Sequence, residues 1–157
     1  MIQLEKNAQS DPQKAAENYI LLGHAYYNCS FNGNSWMMVS YENDEIYYNR
    51  NDYLYGPQYQ LSKKIQGGNY FQCTLAKQYY TKALKTAIND EQRAMASLMI
   101  HICDYDAYQF SNLLVEYDKI PPYVPGISLR NFYKKYKDTE VYKTFHCPLL
   151  EDFIARK

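Results

Sequence analysis

The apolar residues of this chain fall into helical rows twice before residue 90, and the two runs are parted by about forty residues without such a pattern. In the first run Ala15, Tyr19, Leu22, Tyr26 and Cys29 recur at spacings of four, three, four and three. Ala16, Ile20, Gly23 and Tyr27 make a second row beside them. So wide a stripe predicts a helix packed on two sides. Gly23 in its interior costs about 1 kcal/mol relative to alanine, which predicts close approach of a neighbouring helix at that point. The helix opens at "SDPQ", with Ser10 and Gln13 in the spacing of a capping box, or with Asp11 as cap and Pro12 at the first helical position.

From Phe31 to about Tyr70 the chain carries "NGN", "ENDE", "NRND", "GP" and "GG", all turn or loop chemistry. Trp36, Tyr41, Tyr47, Tyr48, Tyr53, Tyr55 and Tyr59 lie between these breaks. A disordered linker is poor in such residues, so an ordered excursion is expected, with a short helix near Trp36–Tyr41 and an extended or hairpin-like piece. The whole chain is rich in aromatics, with 19 tyrosines. Tyrosine joins packing area to a polar tip and therefore serves helix interfaces and binding surfaces alike.

Helical rows resume at "FQCTLAKQYYTKALKTAI", where Leu75, Ala76, Tyr79, Tyr80, Ala83, Leu84, Ala87 and Ile88 pair up. "NDEQ" predicts a third helix over about Glu91–Asp104, capped by Asn89 or Asp90 and carrying Ala94, Leu98 and Ile102, with Tyr105 continuing the row. A fourth is expected over Asp106–Asp118 on Phe110, Leu113, Leu114 and Tyr117, broken by "KIPPYVPGIS". Leu129, Phe132, Tyr133 and Tyr136 predict one short helix, and Val141, Tyr142 and Phe145 another. Pro148 can start a last one with Leu149, Leu150 and Phe153. The expectation is a single all-α domain over 1–157, with short capping helices over about 128–157.

Tyr19-x2-Leu22-Gly23-x2-Tyr26 resembles the helix A signature of the tetratricopeptide repeat, with tyrosine in place of the usual tryptophan. Ala76-x3-Tyr80-x2-Ala83 resembles the helix B signature that normally follows within the same repeat. About 41 more residues separate the two halves than the family consensus allows, which would make residues 31–70 an insertion into one repeat's turn. The resemblance covers about half the chain, and the proline that should close the repeat is Ile88. It implies a right-handed array of antiparallel helix pairs acting as a protein-binding or scaffold module. The ending "NFYKKYKDTEVYKTFHCPLLEDF" also resembles the tail of large bacterial proteins built from degenerate repeats. On that resemblance the chain is expected to be the C-terminal portion of a longer protein, since solenoids need about three repeats and a cap.

Seventeen basic and seventeen acidic residues cancel, without the basic excess that neutralises phosphates, so no nucleic-acid partner is expected. No apolar run approaches the ~18 residues of a membrane span, and the N-terminus lacks the apolar centre of a signal peptide. A cell-envelope or periplasmic location would follow only if the chain is part of an exported protein.

Cys29, Cys73, Cys103 and Cys147 are widely spaced without a CxxC and are expected to be buried free thiols. Asn28-Cys29-Ser30 fits a glycosylation sequon, a chance match without secretion. His101-x-Cys103 and His146-Cys147 hold zinc-type ligands, but His101 and Cys103 would point about 200° apart on a helix. No GxSxG, HExxH, GxxxxGKS or GxGxxG occurs. The acidic loops lack calcium-loop spacing, and Asp104 with Asp106 reads as helix-end charge. No catalytic residue, metal or cofactor is therefore expected. The candidate ligand-binding residues are Trp36, Tyr41, Tyr47, Tyr48, Tyr53 and Tyr55. A protein or peptide partner is the first expectation, and a glycan, stacked on these rings, is the alternative.

Overall fold

A computed structural model describes residues 1–30, 33, 73–112, 117–124 and 129–145. Their regular structure is helical, with no strand among the described residues. In chain order the helices are α1 (Ile2–Ser10), α2 (Ala15–Asn28), α3 (Thr74–Thr86), α4 (Asp90–Ser111), α5 (Leu129–Tyr136) and α6 (Glu140–Thr144). A 3-10 turn, Tyr117–Lys119, lies between α4 and α5.

A helix that the sequence pattern did not predict, α1, precedes the first one expected. The stretch "IQLEKNAQS" offers few apolar residues, and Ala8 is its one buried residue. It is docked on α2 and tied to α3 by the Tyr79 hydroxyl, which donates to Glu5 Oε1 at 3.1 Å. Ser10 finishes α1, its hydroxyl donating back to the Asn7 carbonyl at 3.3 Å, so it does not cap α2. Asp11 does not cap it either: its Oδ1 accepts from the Gln13 amide at 3.0 Å within a turn over 12–14, and α2 starts at Ala15 with Lys14 at the N-cap and no side-chain cap bond.

Both apolar rows of α2 are used. Ala15, Ala16, Leu22 and Gly23 are buried, and the helix lies between α1 and α3. α3 is entered through Cys73 in the left-handed region (φ 52°). For a residue with a Cβ that conformation costs on the order of 1–3 kcal/mol, sustained by the surrounding packing. The expected start of α4 holds: the Asn89 side chain accepts from the Gln92 amide at 2.9 Å, and Gln92 Oε1 reaches back to the Ile88 amide at 3.0 Å.

The boundary at Asp104–Asp106 does not hold. α4 runs unbroken for 22 residues, because "CDYDAYQF" contains no glycine or proline and each charge has somewhere to go. Asp104 pairs with Lys77 of α3, and Asp106 is buried under α2. The expected fourth helix is thus the end of α4, residues 113–116 lie outside the described set, and Tyr117 belongs to a 3-10 turn.

α4 is the shared wall of two apolar clusters. Ala94 and Leu98 bury one row against Phe132 and Tyr136 of α5. Met99 and Cys103 bury the adjacent row with Cys73, Ala76 and Tyr80. Ile102 and Phe145 touch both clusters. α6 is held end-on by α4: the Glu91 carboxylate accepts from the amides of Glu140 (2.8 Å) and Val141 (3.1 Å). A carboxylate on a helix N-terminus satisfies amides that have no partner within the helix. The expected helix after Pro148 lies outside the described residues.

The contact that places α2 on α3 is Gly23 against Tyr80. A Cβ at position 23 would stand 2.6 Å from Cδ1 and 2.8 Å from Cζ of the Tyr80 ring. Tyr80 is fully buried, and its hydroxyl is held by His24 Nδ1 at 2.8 Å, so the ring cannot swing aside. Gly23→Ala removes a helix-propensity penalty of about 1 kcal/mol but forces this overlap, and is expected to lower stability all the same. Gly23→Leu should cost ~1–3 kcal/mol, read as a drop in the urea midpoint. If either substitution raises that midpoint, the close approach is not what glycine is kept for.

Candidate functional site

Trp36, Tyr41, Tyr47, Tyr48, Tyr53 and Tyr55 lie outside the described residues, as do His146 and Cys147. What is defined is the place where the chain leaves α2 and where it enters α3, and those two ends meet. Ser30 and Cys73, 43 residues apart in sequence, are 3.3 Å apart at Oγ and Sγ. Around them α2, α3 and α4 bury a connected set of polar groups.

The proton bookkeeping of this set is constrained. Ser30 has one hydroxyl proton and donates it to the Tyr27 carbonyl at 2.6 Å, so its oxygen is left to accept from the Cys73 thiol. Cys73 is also 3.7 Å from Asp106 Oδ2 and shares one buried cluster with Cys103. The Tyr27 side chain lies beside the Asp106 carboxylate. Ser30 is 2% exposed, Cys73 1%, Cys103 0% and Asp106 7%, so partners inside the protein must replace water for all four.

The two thiols influence each other: the neighbouring Cys103 lowers Cys73 against the effect of burial, and Cys73 together with burial raises Cys103. Tyr27 is pushed far up by burial and by the adjacent Asp106 charge.

Each described histidine sits beside a tyrosine. The His24 ring meets the Tyr80 ring edge-on at 5.5 Å, and burial lowers its proton affinity. Tyr80 is driven up by burial, which keeps its hydroxyl protonated for the bond to His24. His101 is 1% exposed, with Nδ1 3.3 Å from the Tyr123 hydroxyl and Nε2 without a hydrogen-bond partner among the described residues. Tyr123 packs on Tyr105 and Tyr108, each with ring centroids at 5.0 Å, and Tyr108 donates to the Pro121 carbonyl at 2.6 Å. The 121–123 stretch is thereby fastened to the end of α4. His101 faces this aromatic group while Cys103 faces Cys73, so the two do not converge on one point, and no group of three metal-type ligands gathers among the described residues.

A second aromatic group joins α1, α2 and α3. Tyr26 and Tyr79 stack at 5.1 Å with planes 5° apart, and Tyr19 lies 6.3 Å from Tyr79. The Lys82 ammonium sits 4.7 Å from the Tyr79 ring centre and 5.6 Å from that of Tyr19. Burial and the Glu5 carboxylate push Tyr79 up to about 12. The apolar rows contain all three tyrosines, so the burial of Tyr79 and the partial burial of Tyr19 and Tyr26 were legible. The lysine over the rings and the acid from α1 were not, because neither follows from helical spacing.

The buried imidazoles set a pH dependence. His24 and His101 have folded-state values below the ordinary 6.5, chiefly through burial, with Asp104 partly opposing the effect at His101. The unfolded chain then binds more protons as pH falls, so their contribution is complete above about pH 6.5 and is lost below it. Thermal midpoints are expected to fall between about pH 7.5 and about pH 5.5, with a smaller fall in His24→Gln and in His101→Gln. A flat profile over that interval would show that neither ring is held neutral by the fold.

No family model, no curated protein and no solved structure matches this chain.

Proposed function

We propose that this chain is a non-enzymatic, tetratricopeptide-like module that binds a protein or peptide partner, and that α2 and α3 are the antiparallel halves of one interrupted repeat. The observation that carries this reading is the order of contacts along the two helices. At one end Ser30 meets Cys73, in the middle Gly23 and His24 meet Tyr80, and at the other end Tyr19 lies near Lys82. Residue numbers rise along α2 as they fall along α3, as in the helix A and helix B pair of such a repeat. Gly23 and Tyr80 belong to the two signature patterns, and a Cβ at position 23 would overlap the Tyr80 ring.

In this reading the repeat needs only a tight turn between its halves, so the intervening aromatic segment serves recognition. Both of its stems are fixed at one end of the helix pair, since Ser30 and Cys73 are in contact. The candidate contacts remain Trp36, Tyr41, Tyr47, Tyr48, Tyr53 and Tyr55, whose rings give large contact area with polar tips. The long α4 departs from a second helix pair, which makes the module a single repeat backed by one long helix rather than a regular array.

The test replaces residues 34–72 with a short glycine-containing turn and compares the shortened and full chains. The expected result is a helical, cooperatively unfolding shortened protein that has lost the peptide-array binding of the full chain. A shortened protein that does not fold would mean that the tyrosines belong to the core. Retained binding would move the site to the surface of α2 and α3, and binding confined to a glycan array would replace the protein partner by a carbohydrate.

A further inference from the structure

Residues 120–124, "IPPYV", rest against α4 without belonging to a helix themselves. Pro121 and Pro122 have no amide proton to donate, and a proline forces its predecessor into extended geometry. Ile120, Pro121 and Val124 each precede a proline in the sequence and are restricted in this way. Among the described residues no backbone-to-backbone hydrogen bond joins this stretch to a helix. Side chains of α4 hold it instead. The Tyr123 ring stands 5.0 Å from the rings of both Tyr105 and Tyr108. Its hydroxyl is 3.3 Å from His101 Nδ1, and Tyr108 donates to the Pro121 carbonyl at 2.6 Å. Pro121 and Pro122 stay exposed, and Val124 is 80% exposed. One ring and one carbonyl therefore do the seating. Proline-rich peptides bind aromatic surfaces in the same manner, because prolines fix an extended backbone in advance and so lower the entropy lost on docking. The seat is also incompletely used. His101 is 1% exposed, and its Nε2 has no hydrogen-bond partner among the described residues. In either tautomer the contact with Tyr123 engages Nδ1 alone and leaves Nε2 an idle donor or acceptor. Buried polar atoms nearly always have a partner, so the arrangement with residues 120–124 in place leaves one bond unmade.

We propose that His101, Tyr105 and Tyr108 form a docking shelf on α4 for a proline-preceded tyrosine in an extended segment of a partner protein, and that residues 120–124 are a strap covering this shelf in cis. The strap itself displays the chemistry that the shelf accepts. A carbonyl two residues before the tyrosine meets the Tyr108 hydroxyl, the phenol ring packs on Tyr105 and Tyr108, and the phenol oxygen meets His101. A partner segment with two prolines ahead of a tyrosine presents the same groups in the same order. Being part of the chain, the strap competes at an effective concentration on the order of millimolar for a short tether. Weak ligands are thereby held off until the strap's ring is withdrawn. The shelf is separate from the aromatic segment between α2 and α3, since every one of its side chains comes from α4.

The experiment uses the full chain and a fluorescein-labelled synthetic peptide, "KIPPYVPG", copied from the strap and its flanks. Fluorescence anisotropy compares the wild type with Tyr123→Ala, whose strap has lost its ring. The variant is expected to bind the peptide at least about tenfold more tightly than the wild type, because the competitor in cis is gone. The same peptide with alanine in place of its tyrosine should bind neither protein. Tyr108→Phe, added to Tyr123→Ala, removes the bond to the peptide carbonyl and should weaken binding by about fivefold. Circular dichroism shows whether the variants fold. If they do not, millimolar unlabelled peptide is added to the wild type, and the ring resonances of Tyr105 and Tyr108 should shift with the tyrosine peptide and stay fixed with its alanine version. Equal affinity in wild type and Tyr123→Ala would overturn the proposal, as would binding that survives loss of the peptide's tyrosine. Affinity unchanged by Tyr108→Phe, the absence of any binding, or resonances that do not move would overturn it too.

Discussion

Gly23 lets α2 come down onto the ring of Tyr80, and much else in the described structure depends on that approach. With the helices this close, His24 reaches the Tyr80 hydroxyl, Tyr26 stacks on Tyr79, and Ser30 arrives beside Cys73. The ring of Tyr80 is also a member of the cluster that α3 shares with α4, together with Met99 and Cys103. A displacement at position 23 would therefore be felt on α4 through a fully buried tyrosine. Close-packed interiors pass such shifts on because they have no slack to absorb them.

The polar groups at the α2–α3–α4 junction follow from the same closeness. Burying a thiol pair, a carboxylate and a hydroxyl together is costly unless each finds a partner. Here the Cys73 thiol donates to Ser30 and Ser30 donates to the Tyr27 carbonyl, with the Asp106 carboxylate beside Cys73 and Cys103 in the same buried cluster. Each donor in that chain fixes the next.

α4 shows how one uninterrupted helix organises the rest. Its rows face α5 on one side and α3 on the other. Glu91 in its first turn receives the amides of α6, and Tyr105 and Tyr108 near its end anchor the 121–123 stretch. A helix of twenty-odd residues spans about 30 Å, enough to carry these separate attachments along one body. A helix broken at Asp104–Asp106 would have divided them between two elements free to move relative to each other.

Helical spacing is a local property, so the sequence by itself determined the all-α character, both buried rows of α2, the Asn89 start of α4 and the short helices at Leu129–Tyr136 and Glu140–Thr144. It also pointed to Gly23 as a place of close approach, because glycine inside a helix is costly and needs a reason. Where the signal was local but weak, sequence reading failed: α1 carries few apolar residues, and Asp104–Asp106 looked like an end although nothing there stops a helix. The tertiary structure alone decided that Ser30 meets Cys73, that Cys73 and Cys103 share one buried cluster with Asp106 beside Cys73, that Glu91 caps a helix 49 residues away, and that His101 and Cys103 face different neighbours. Those contacts join residues about twenty to fifty positions apart, and no residue-to-residue period encodes which distant side chain a folded helix will bring against its own.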